Sequence, residues 1–311
     1  MRSAAQPAVP ARKVAGVDIG GTKISAGLVA EDGTLGRVVT VPTPAAQGPA
    51  AVLAAVAGAV RELDGDVVAA GIGSAGVIDP VGGLVRSATD ALPGWAGTDL
   101  RGGLRELLGV PVAVDNDVHA HAIGEAWTGA AAGRRTVLLV AVGTGVGGSL
   151  LIDGRVHHGA RAAAGHAGHV PSAAAAGLPC TCGGVGHVEV VSSGPALLAE
   201  YLRRGGAAGT HHLAQVAAAA RAGDELAAGV LAGGAHALGQ AVGGLANVLD
   251  PDVVLIGGGV SQCGDVWWQP LLAAVEGELL PPLRGLPVLP GTLGQSAAMI
   301  GAARLGWAVA A

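Results

Sequence analysis

Residues 14–29 read VAGVDIGGTKISAGLV, and the pattern of this stretch returns later in the chain. Residues 14–19 form a short apolar strand, residues 20–23 a polar, glycine-rich turn, and residues 24–29 a returning strand. Asp32-Gly33 then supplies the turn chemistry of a hairpin. The glycine-rich turn therefore joins two strands, unlike a Walker or Rossmann loop, which opens a helix.

The turn at residues 20–23 suits a phosphate group. Glycine lets the backbone come close to a phosphate, and the N–H groups of a turn can surround the anion. Asp18, at the end of the first strand, would hold Mg²⁺ directly or through water. An ordinary hairpin turn would have a similar sequence, so this segment alone leaves both interpretations open.

The same pattern occurs again in the middle of the chain. Residues 136–142 form an apolar strand, residues 143–149 a Gly/Thr-rich turn, and residues 150–152 a returning strand before Asp153-Gly154. Two such hairpins indicate an internally duplicated α/β architecture. If the two turns face each other, they would clamp a nucleotide between two domains, and a further glycine turn at 257–259 would pack against its base or ribose.

An acidic-amide-acidic triplet, Asp115-Asn116-Asp117, follows the short strand at residues 110–114. Ligands of α/β sheets gather at the carboxyl ends of strands. One carboxylate would therefore be placed to take a hydroxyl proton while Asn116 orients the same substrate. The same residues would also serve as the N-cap of a helix at 118–127, and the two roles are compatible.

The composition excludes several classes of protein. The 311 residues, half of them hydrophobic, suffice for one large domain or two of ordinary size. A net charge of -5 without an Arg/Lys cluster argues against nucleic-acid binding, and the lack of a long apolar run argues against a membrane span. Residues 1–13 are Ala/Pro-rich and predict a disordered tail rather than a signal peptide. Three cysteines do not make a disulfide framework, so we expect a reduced, cytoplasmic protein.

Residues 165–189 contain the densest group of metal-binding side chains. They read GHAGH at 165–169 and CTCGGVGHVE at 180–189, with three histidines and two cysteines between them. This composition predicts a zinc ion that shapes a pocket. The other histidines, among them His119 and His236, are expected to be surface or packing residues.

A long alanine-rich region at residues 213–248 predicts helix. Gly233-Gly234 and Gly243-Gly244 lie inside it, and because glycine weakens a helix interior, we expect interruptions at both pairs.

Taken together, these motifs resemble the ROK family of bacterial sugar kinases and regulators, over residues 14–307. The motifs DIGGTK at 18–23 and GTGVGG at 143–148 resemble its two phosphate motifs. Asn116-Asp117 falls where the family has its sugar-binding Asn and catalytic Asp. Residues 165–189 resemble its Glu-x-Gly-His and Cys-x-Cys-Gly-x-x-Gly-Cys-x-Glu signature.

The resemblance implies an α/β protein with the two-domain actin/hexokinase-like (ribonuclease H-like) fold and an interdomain cleft. After the tail at 1–13, we expect a small N-terminal domain at 14–118, closed by the C-terminal helix 297–311. A large domain at 119–296 would contain the zinc site. Homodimers are common among relatives, so a homodimer is expected.

The resemblance also implies an ATP-dependent kinase that phosphorylates the 6-hydroxyl of a hexose, with Asp117 accepting the proton. The residues expected to hold ATP and Mg²⁺ are Asp18, Gly20, Gly21, Thr22, Lys23, Thr144, Gly145, Gly258 and Gly259. Those expected to contact the sugar are Gly76, Thr89, Asn116, Asp117, His166, His169 and Glu189. Catalysis in such a site is mainly positioning and charge stabilisation.

The metal signature departs from the family pattern at His187, which stands where the family has its third cysteine. A set of His169, Cys180, Cys182 and His187 still offers four nitrogen and sulfur ligands, which suits a structural, tetrahedral Zn²⁺. The alternative is that His187 is a turn residue and that the metal is weak or absent.

A second departure is His166, which stands where glucokinases of the family have Glu. A neutral imidazole accepts a hydrogen bond at one nitrogen and donates at the other, so it would read sugar hydroxyls differently. The His-x-Gly-His form and Ser74-Ala75-Gly76 resemble bacterial N-acetylmannosamine kinases, whereas Pro93-Gly94-Trp95 resembles glucokinases. We therefore expect conversion of N-acetylmannosamine to its 6-phosphate, with a glucokinase or another hexose or N-acetylhexosamine kinase as the alternative.

A non-catalytic, sugar-binding regulator is the alternative from another class. ROK repressors have an added N-terminal winged helix-turn-helix domain, whereas here only residues 1–13, without a helical pattern, precede the first strand. Degenerate members lose the catalytic Asp or a phosphate turn, and this chain has Asp117 and both turns. We therefore expect an enzyme whose partner is a small sugar, and neither nucleic acid nor a membrane.

Overall fold

A computed structural model describes residues 12–88 and 92–310. The predicted tail, apart from its last two residues, and the sugar contact predicted for Thr89 lie outside these residues. The chain divides into two compact units: the first contains the residues up to Gly124 together with those from Ala298, and the second is Glu125–Ala297.

The first unit is built on a five-stranded sheet with the order β3-β2-β1-β4-β7. The elements are β1 Lys13–Ile19, β2 Lys23–Val29, β3 Leu35–Pro42, α1 Pro49–Arg61, β4 Val67–Ser74, β5 Val77–Ile78, β6 Val85–Ser87, α2 Leu100–Leu108, β7 Val112–Asn116 and α3 Asp117–Thr128, which continues into the second unit. Strands β1, β2 and β3 pair antiparallel, whereas β4 pairs parallel with both β1 and β7.

The second unit repeats this sheet with the order β10-β9-β8-β11-β12. The elements are β8 Val137–Val142, β9 Val146–Ile152, β10 Arg155–Val156, α4 Glu189–Ser192, α5 Gly194–Arg203, α6 Leu213–Arg221, α7 Glu225–Leu249, β11 Val253–Gly257, α8 Asp265–Glu278, β12 Val288–Pro290 and α9 Ala297–Trp307, which returns to the first unit. Antiparallel and parallel pairs follow each other as in the first sheet. The predicted duplication is therefore confirmed.

Helix α7 is continuous over 25 residues, so the predicted interruptions at the glycine pairs were wrong. A Cβ atom at Gly234 would overlap Leu197 of α5, and one at Gly243 would come within 2.6 Å of Glu278 of α8. These two glycines therefore let neighbouring helices approach closely. The apolar area buried in this packing stabilises the helix by more than the roughly 1 kcal/mol that each glycine costs.

By length and composition, α7 is apolar enough to cross a membrane. Its position explains this composition without a membrane, because it is the central helix of the second unit. Its buried face packs into one hydrophobic core with α5, α8 and strands β8 and β11. A helix with a wide buried face of this kind needs many apolar residues.

Helix α9 packs closely on the sheet of the first unit, and at Gly71 the two backbones meet with no side chain between them. A Cβ atom at Gly71 of β4 would overlap the carbonyl oxygen of Ala302 in α9. We expect Gly71→Ala to lower the free energy of unfolding by about 3 kcal/mol, because the backbone of neither element can move without breaking its own hydrogen bonds. Urea unfolding measures this loss.

Gly58→Ala is the matched control for that substitution, since a Cβ atom at Gly58 in α1 has no neighbour within 4 Å. It should raise stability by up to about 1 kcal/mol, because alanine is the better helix former. An unchanged unfolding midpoint for Gly71→Ala would contradict the close packing of α9 on β4.

Candidate functional site

The turn between β1 and β2 is tied down from within and from β3. Gly20 N donates to Lys23 O at 3.0 Å, which closes the turn that was predicted between the two strands. Thr43, just after β3, donates its hydroxyl to Gly20 O at 2.7 Å and its N–H to Thr22 O at 3.0 Å. Thr43 was not among the predicted residues. The feature that could have indicated Thr43 is the register of the hairpin, because Pro42 pairs with Lys23 and the next residue then lies beside the turn.

Two carboxylates of the first unit, those of Asp18 and Asp117, influence each other. Burial raises the pKa of Asp18 to about 7, and the negative charge of Asp117 contributes to the rise while Lys23 opposes it. Burial also raises the pKa of Asp117, although the Val118 N–H group favours the charged form. A carboxylate with a raised pKa is a stronger base, and a pair of them attracts a divalent cation.

The corner between β7 and α3 fixes Asn116 and Asp117. Asn116 Oδ1 accepts hydrogen bonds from Val118 N at 2.8 Å and His119 N at 3.1 Å, so it caps the helix as expected. Asn116 Nδ2 donates to Gly76 O at 2.8 Å. The structure therefore brings together Gly76 and Asn116, two of the residues that were predicted to contact the sugar.

Asp115 and His119 form a buried pair beneath this corner. Asp115 Oδ1 lies 2.8 Å from His119 Nδ1 and accepts from Asn116 N at 2.7 Å, and both side chains are at most 3% exposed. A hydrogen-bonded ring and carboxylate of this kind hold the turn before Asp117 in one conformation. The i,i+4 spacing of Asp115 and His119 is the feature of the sequence that could have predicted this pair.

The segment Ser74-Ala75-Gly76 is held by the indole that follows β6. Trp95 Nε1 donates to Ser74 Oγ at 3.0 Å, and both residues are buried. Gly76 has a positive φ of 105°, and a Cβ atom there would lie 2.5 Å from Ser87 O. Only glycine fits this position, so the carbonyl that accepts from Asn116 has a fixed direction.

The second predicted phosphate turn also joins two antiparallel strands, in the second unit. Gly143 N donates to Gly145 O at 2.8 Å, which places Thr144 at the exposed tip between β8 and β9. Gly258 follows β11, the parallel neighbour of β8, and a Cβ atom on it would overlap Val142 O. The carboxyl ends of β8 and β11 therefore lie side by side, and the predicted nucleotide residues follow them: Thr144, Gly145, Gly258 and Gly259.

The four predicted metal ligands come together in the same unit. Ligand atoms of His169, Cys180, Cys182 and His187 all lie within 4.8 Å of one another. Cys180 Sγ is 3.7 Å from His169 Nδ1, and Cys182 Sγ is 3.3 Å from His187 Nδ1. Tetrahedral zinc, with bonds of about 2.0 Å to nitrogen and 2.3 Å to sulfur, separates such atoms by roughly 3.5 Å. The geometry and the donor set fit Zn²⁺.

Two predicted sugar residues, His166 and Glu189, flank the metal ligands. The exposed ring of His166 lies 6.1 Å from the His169 ring, centroid to centroid, and its Nδ1 is 3.0 Å from Ala163 O. A carbonyl oxygen only accepts, so Nδ1 of His166 carries the proton and Nε2 of the neutral ring is an acceptor. Glu189 Oε2 accepts from Val146 N at 2.9 Å.

Comparison with known proteins finds relatives along nearly the whole chain. The ROK family model matches residues 14–308. A glucokinase from Halalkalibacterium halodurans is 34% identical in an alignment that covers 94% of this chain and 94% of the relative. An N-acetylmannosamine kinase from Escherichia coli O6:H1 is 31% identical over 244 residues, which cover 78% of this chain and 82% of the relative.

A solved structure extends the likeness to three dimensions. The ROK family glucokinase from Streptomyces griseus, crystallised in complex with glucose and AMPPNP, is 31% identical, with a TM-score of 0.84. The match covers 95% of this chain and 99% of that one. This likeness confirms the predicted α/β fold of the actin/hexokinase type. With the family model matched from the first strand to the last helix, the chain belongs to the ROK family.

Proposed function

We propose that this protein is an ATP-dependent kinase that transfers a phosphoryl group to the 6-hydroxyl of a hexose. The observation that carries the proposal is the corner at Asn116-Asp117. There a partly exposed carboxylate with a raised pKa stands at the carboxyl end of a strand, in the same unit as the turn at residues 20–23. The second turn, at residues 143–145, would add the N–H groups of Thr144 and Gly145 as donors to phosphate.

The residues have separate roles in this proposal. Asp117 accepts the proton of the attacking hydroxyl, and Asn116 hydrogen-bonds the same sugar. Asp18 would contribute a carboxylate to hold Mg²⁺, and that ion would supply positive charge to neutralise the phosphates. The remaining polar groups position the reactants, which is the main source of catalysis in phosphoryl transfer.

For the sugar, we propose N-acetylmannosamine. His166 presents one neutral acceptor, Nε2, because its Nδ1 is directed at Ala163 O. A carboxylate at this position would accept hydrogen bonds from two hydroxyls and would have a full negative charge. The single neutral acceptor of the imidazole needs fewer hydroxyl donors, so we expect it to tolerate a substituent other than hydroxyl at the 2-position of the sugar. The likeness to an N-acetylmannosamine kinase supports this choice.

Glucose is the second candidate, and two observations favour it. Glucokinases from Halalkalibacterium halodurans and Thermotoga maritima are 34% and 33% identical over nearly the whole chain. Trp95, part of a segment that resembles glucokinases, is buried against Ser74 and so helps to shape the segment that ends at Gly76.

An ADP-release assay decides between the candidates. N-acetylmannosamine, N-acetylglucosamine, glucose, mannose and fructose would be compared at equal concentration, with ATP and Mg²⁺. We expect the highest kcat/KM for N-acetylmannosamine. Turnover of glucose without turnover of N-acetylmannosamine would favour the second candidate, and no turnover of any sugar would favour a sugar-binding regulator.

We also propose that the four-residue cluster binds a structural zinc ion. His169, Cys180, Cys182 and His187 would supply all four ligands, so no position remains for a reacting water. Burial lowers the pKa of His169, which keeps its imidazole neutral and able to bind metal. The zinc would hold the loop that leads from His166 to Glu189.

We expect elemental analysis of the purified protein to find one zinc per chain. His187→Ala should lower the zinc content and the thermal unfolding midpoint, because it removes one of four ligands. His236→Ala, on the exposed face of α7, is the control and should change neither. Full zinc occupancy in His187→Ala would show that His187 is a turn residue and not a ligand.

A further inference from the structure

The loop with the proposed zinc ligands runs directly into a short segment that holds both ends of the second phosphate turn. This segment is residues 189–194, which begins two residues after His187. Its first residue, Glu189, accepts from Val146 N at 2.9 Å, at one end of the turn. Its last residue, Gly194, donates its N–H to Gly143 O at 2.8 Å, at the other end.

The contact between Glu189 and the turn is close enough to restrict the sequence there. A Cβ atom at Gly145 would lie 2.6 Å from Glu189 Oε2, so a larger residue there would have to displace this carboxylate. The segment itself is anchored in the core, because the buried Ser192 donates its hydroxyl to Gly234 O of α7 at 2.9 Å. The Gly143 end of the turn is therefore fixed against the core through Gly194, whereas the Val146 end depends on the side chain of Glu189.

The other oxygen of Glu189 faces the metal loop. Glu189 Oε1 lies 3.5 Å from Thr181 Oγ1 and 3.9 Å from Cys180 Sγ. One side chain thus contacts both the loop between the proposed zinc ligands and the turn proposed to surround the nucleotide phosphates. A change in the position of either one must move the carboxylate or break one of its contacts.

We propose that Glu189 is a positioning residue that couples the zinc loop to the phosphate turn, so that zinc strengthens nucleotide binding even without sugar. The inference rests on the proposed kinase function. With the loop ordered by its metal, Glu189 holds Val146 N and keeps the turn in the conformation that receives phosphate. Without the metal, the turn must be ordered when the nucleotide binds, and that ordering weakens affinity. By thermodynamic linkage, bound nucleotide raises the affinity for zinc by the same factor.

The test measures binding of AMPPNP with Mg²⁺ by isothermal titration calorimetry, in the absence of any sugar. Four samples are compared: the zinc-loaded wild-type chain, the same chain after a chelator has removed zinc, zinc-loaded E189A, and zinc-loaded E189Q. Elemental analysis reports the zinc content of each sample. E189Q is the conservative variant, because its amide oxygen still accepts from Val146 N.

We expect the zinc-free chain and E189A to bind AMPPNP about 10-fold more weakly than the wild type, the range for loss of one hydrogen bond to a charged group. E189Q should stay within about threefold, and zinc added back should restore the stripped chain. A role in sugar contact alone would leave all four affinities equal, and that result overturns the inference. Should E189A not fold, the stripped and reloaded wild-type chain decides the question. A wild-type chain that binds no AMPPNP refutes the kinase proposal itself, which separates the two failures.

Discussion

Asp117→Asn should lower kcat for sugar phosphorylation about 10³-fold, within the range for loss of a general base. Asparagine has nearly the same shape and still hydrogen-bonds a hydroxyl, but it does not accept the proton. Sugar affinity should therefore change by no more than a few fold. Steady-state ADP release gives kcat, and equilibrium titration with the sugar gives its dissociation constant.

Asp64→Asn is the matched control for this experiment. Asp64 belongs to the same unit and its side chain is 78% exposed, so the same chemical change there should leave kcat unchanged. Substantial activity in Asp117→Asn would show that the proton leaves by another route and would refute the assignment of Asp117 as the base. Loss of sugar binding together with kcat would instead make Asp117 a binding residue.

His166→Glu should shift the preference from N-acetylmannosamine toward glucose by about 10- to 100-fold in the ratio of the two kcat/KM values. The estimate corresponds to one added hydrogen bond between a hydroxyl and a charged acceptor. The wild-type ring offers only Nε2, whereas a carboxylate offers two oxygens to neighbouring hydroxyls. Parallel ADP-release measurements with both sugars give the ratio.

The control for the added charge is His236→Glu on the exposed face of α7. It makes the same substitution in the same unit and should leave the ratio of kcat/KM values unchanged. If His166→Glu also leaves the ratio unchanged, the specificity does not come from this side chain. The buried contact between Trp95 and Ser74 then becomes the next candidate.

The parts of the fold that follow from local pattern were predictable from the sequence. In both hairpins an apolar run followed by glycine and threonine marks the end of a strand, and this pattern located the two predicted phosphate turns. The final helix was predicted at 297–311, and α9 begins at Ala297 as predicted and ends at Trp307. The helix cap by Asn116 was also expected, because the side chain acts on the backbone of its own neighbours.

Contacts between distant parts of the chain were not predictable from one sequence. Glu189 and Val146 are 43 residues apart, and no pattern in either segment points to the other. Glu125 had no assigned role, yet it is fully buried and accepts from Leu293 N at 2.8 Å, 168 residues away. The glycines of α7 illustrate the same difficulty, since their effect depends on helices that pack against them rather than on helix propensity.

The two sheets have the same strand order, but different residues follow their outer parallel strands. In the first sheet, the outer parallel strand β7 ends at Asn116 and is followed by Asp117, whereas its counterpart β12 ends at Pro290 and is followed by Gly291. A chain assembled from two copies of the second sheet would have both glycine turns but no proton acceptor. Two copies of the first would have a proton acceptor in each half. The two sheets are therefore alike in strand order, and in the proposed mechanism only the first unit supplies the proton acceptor.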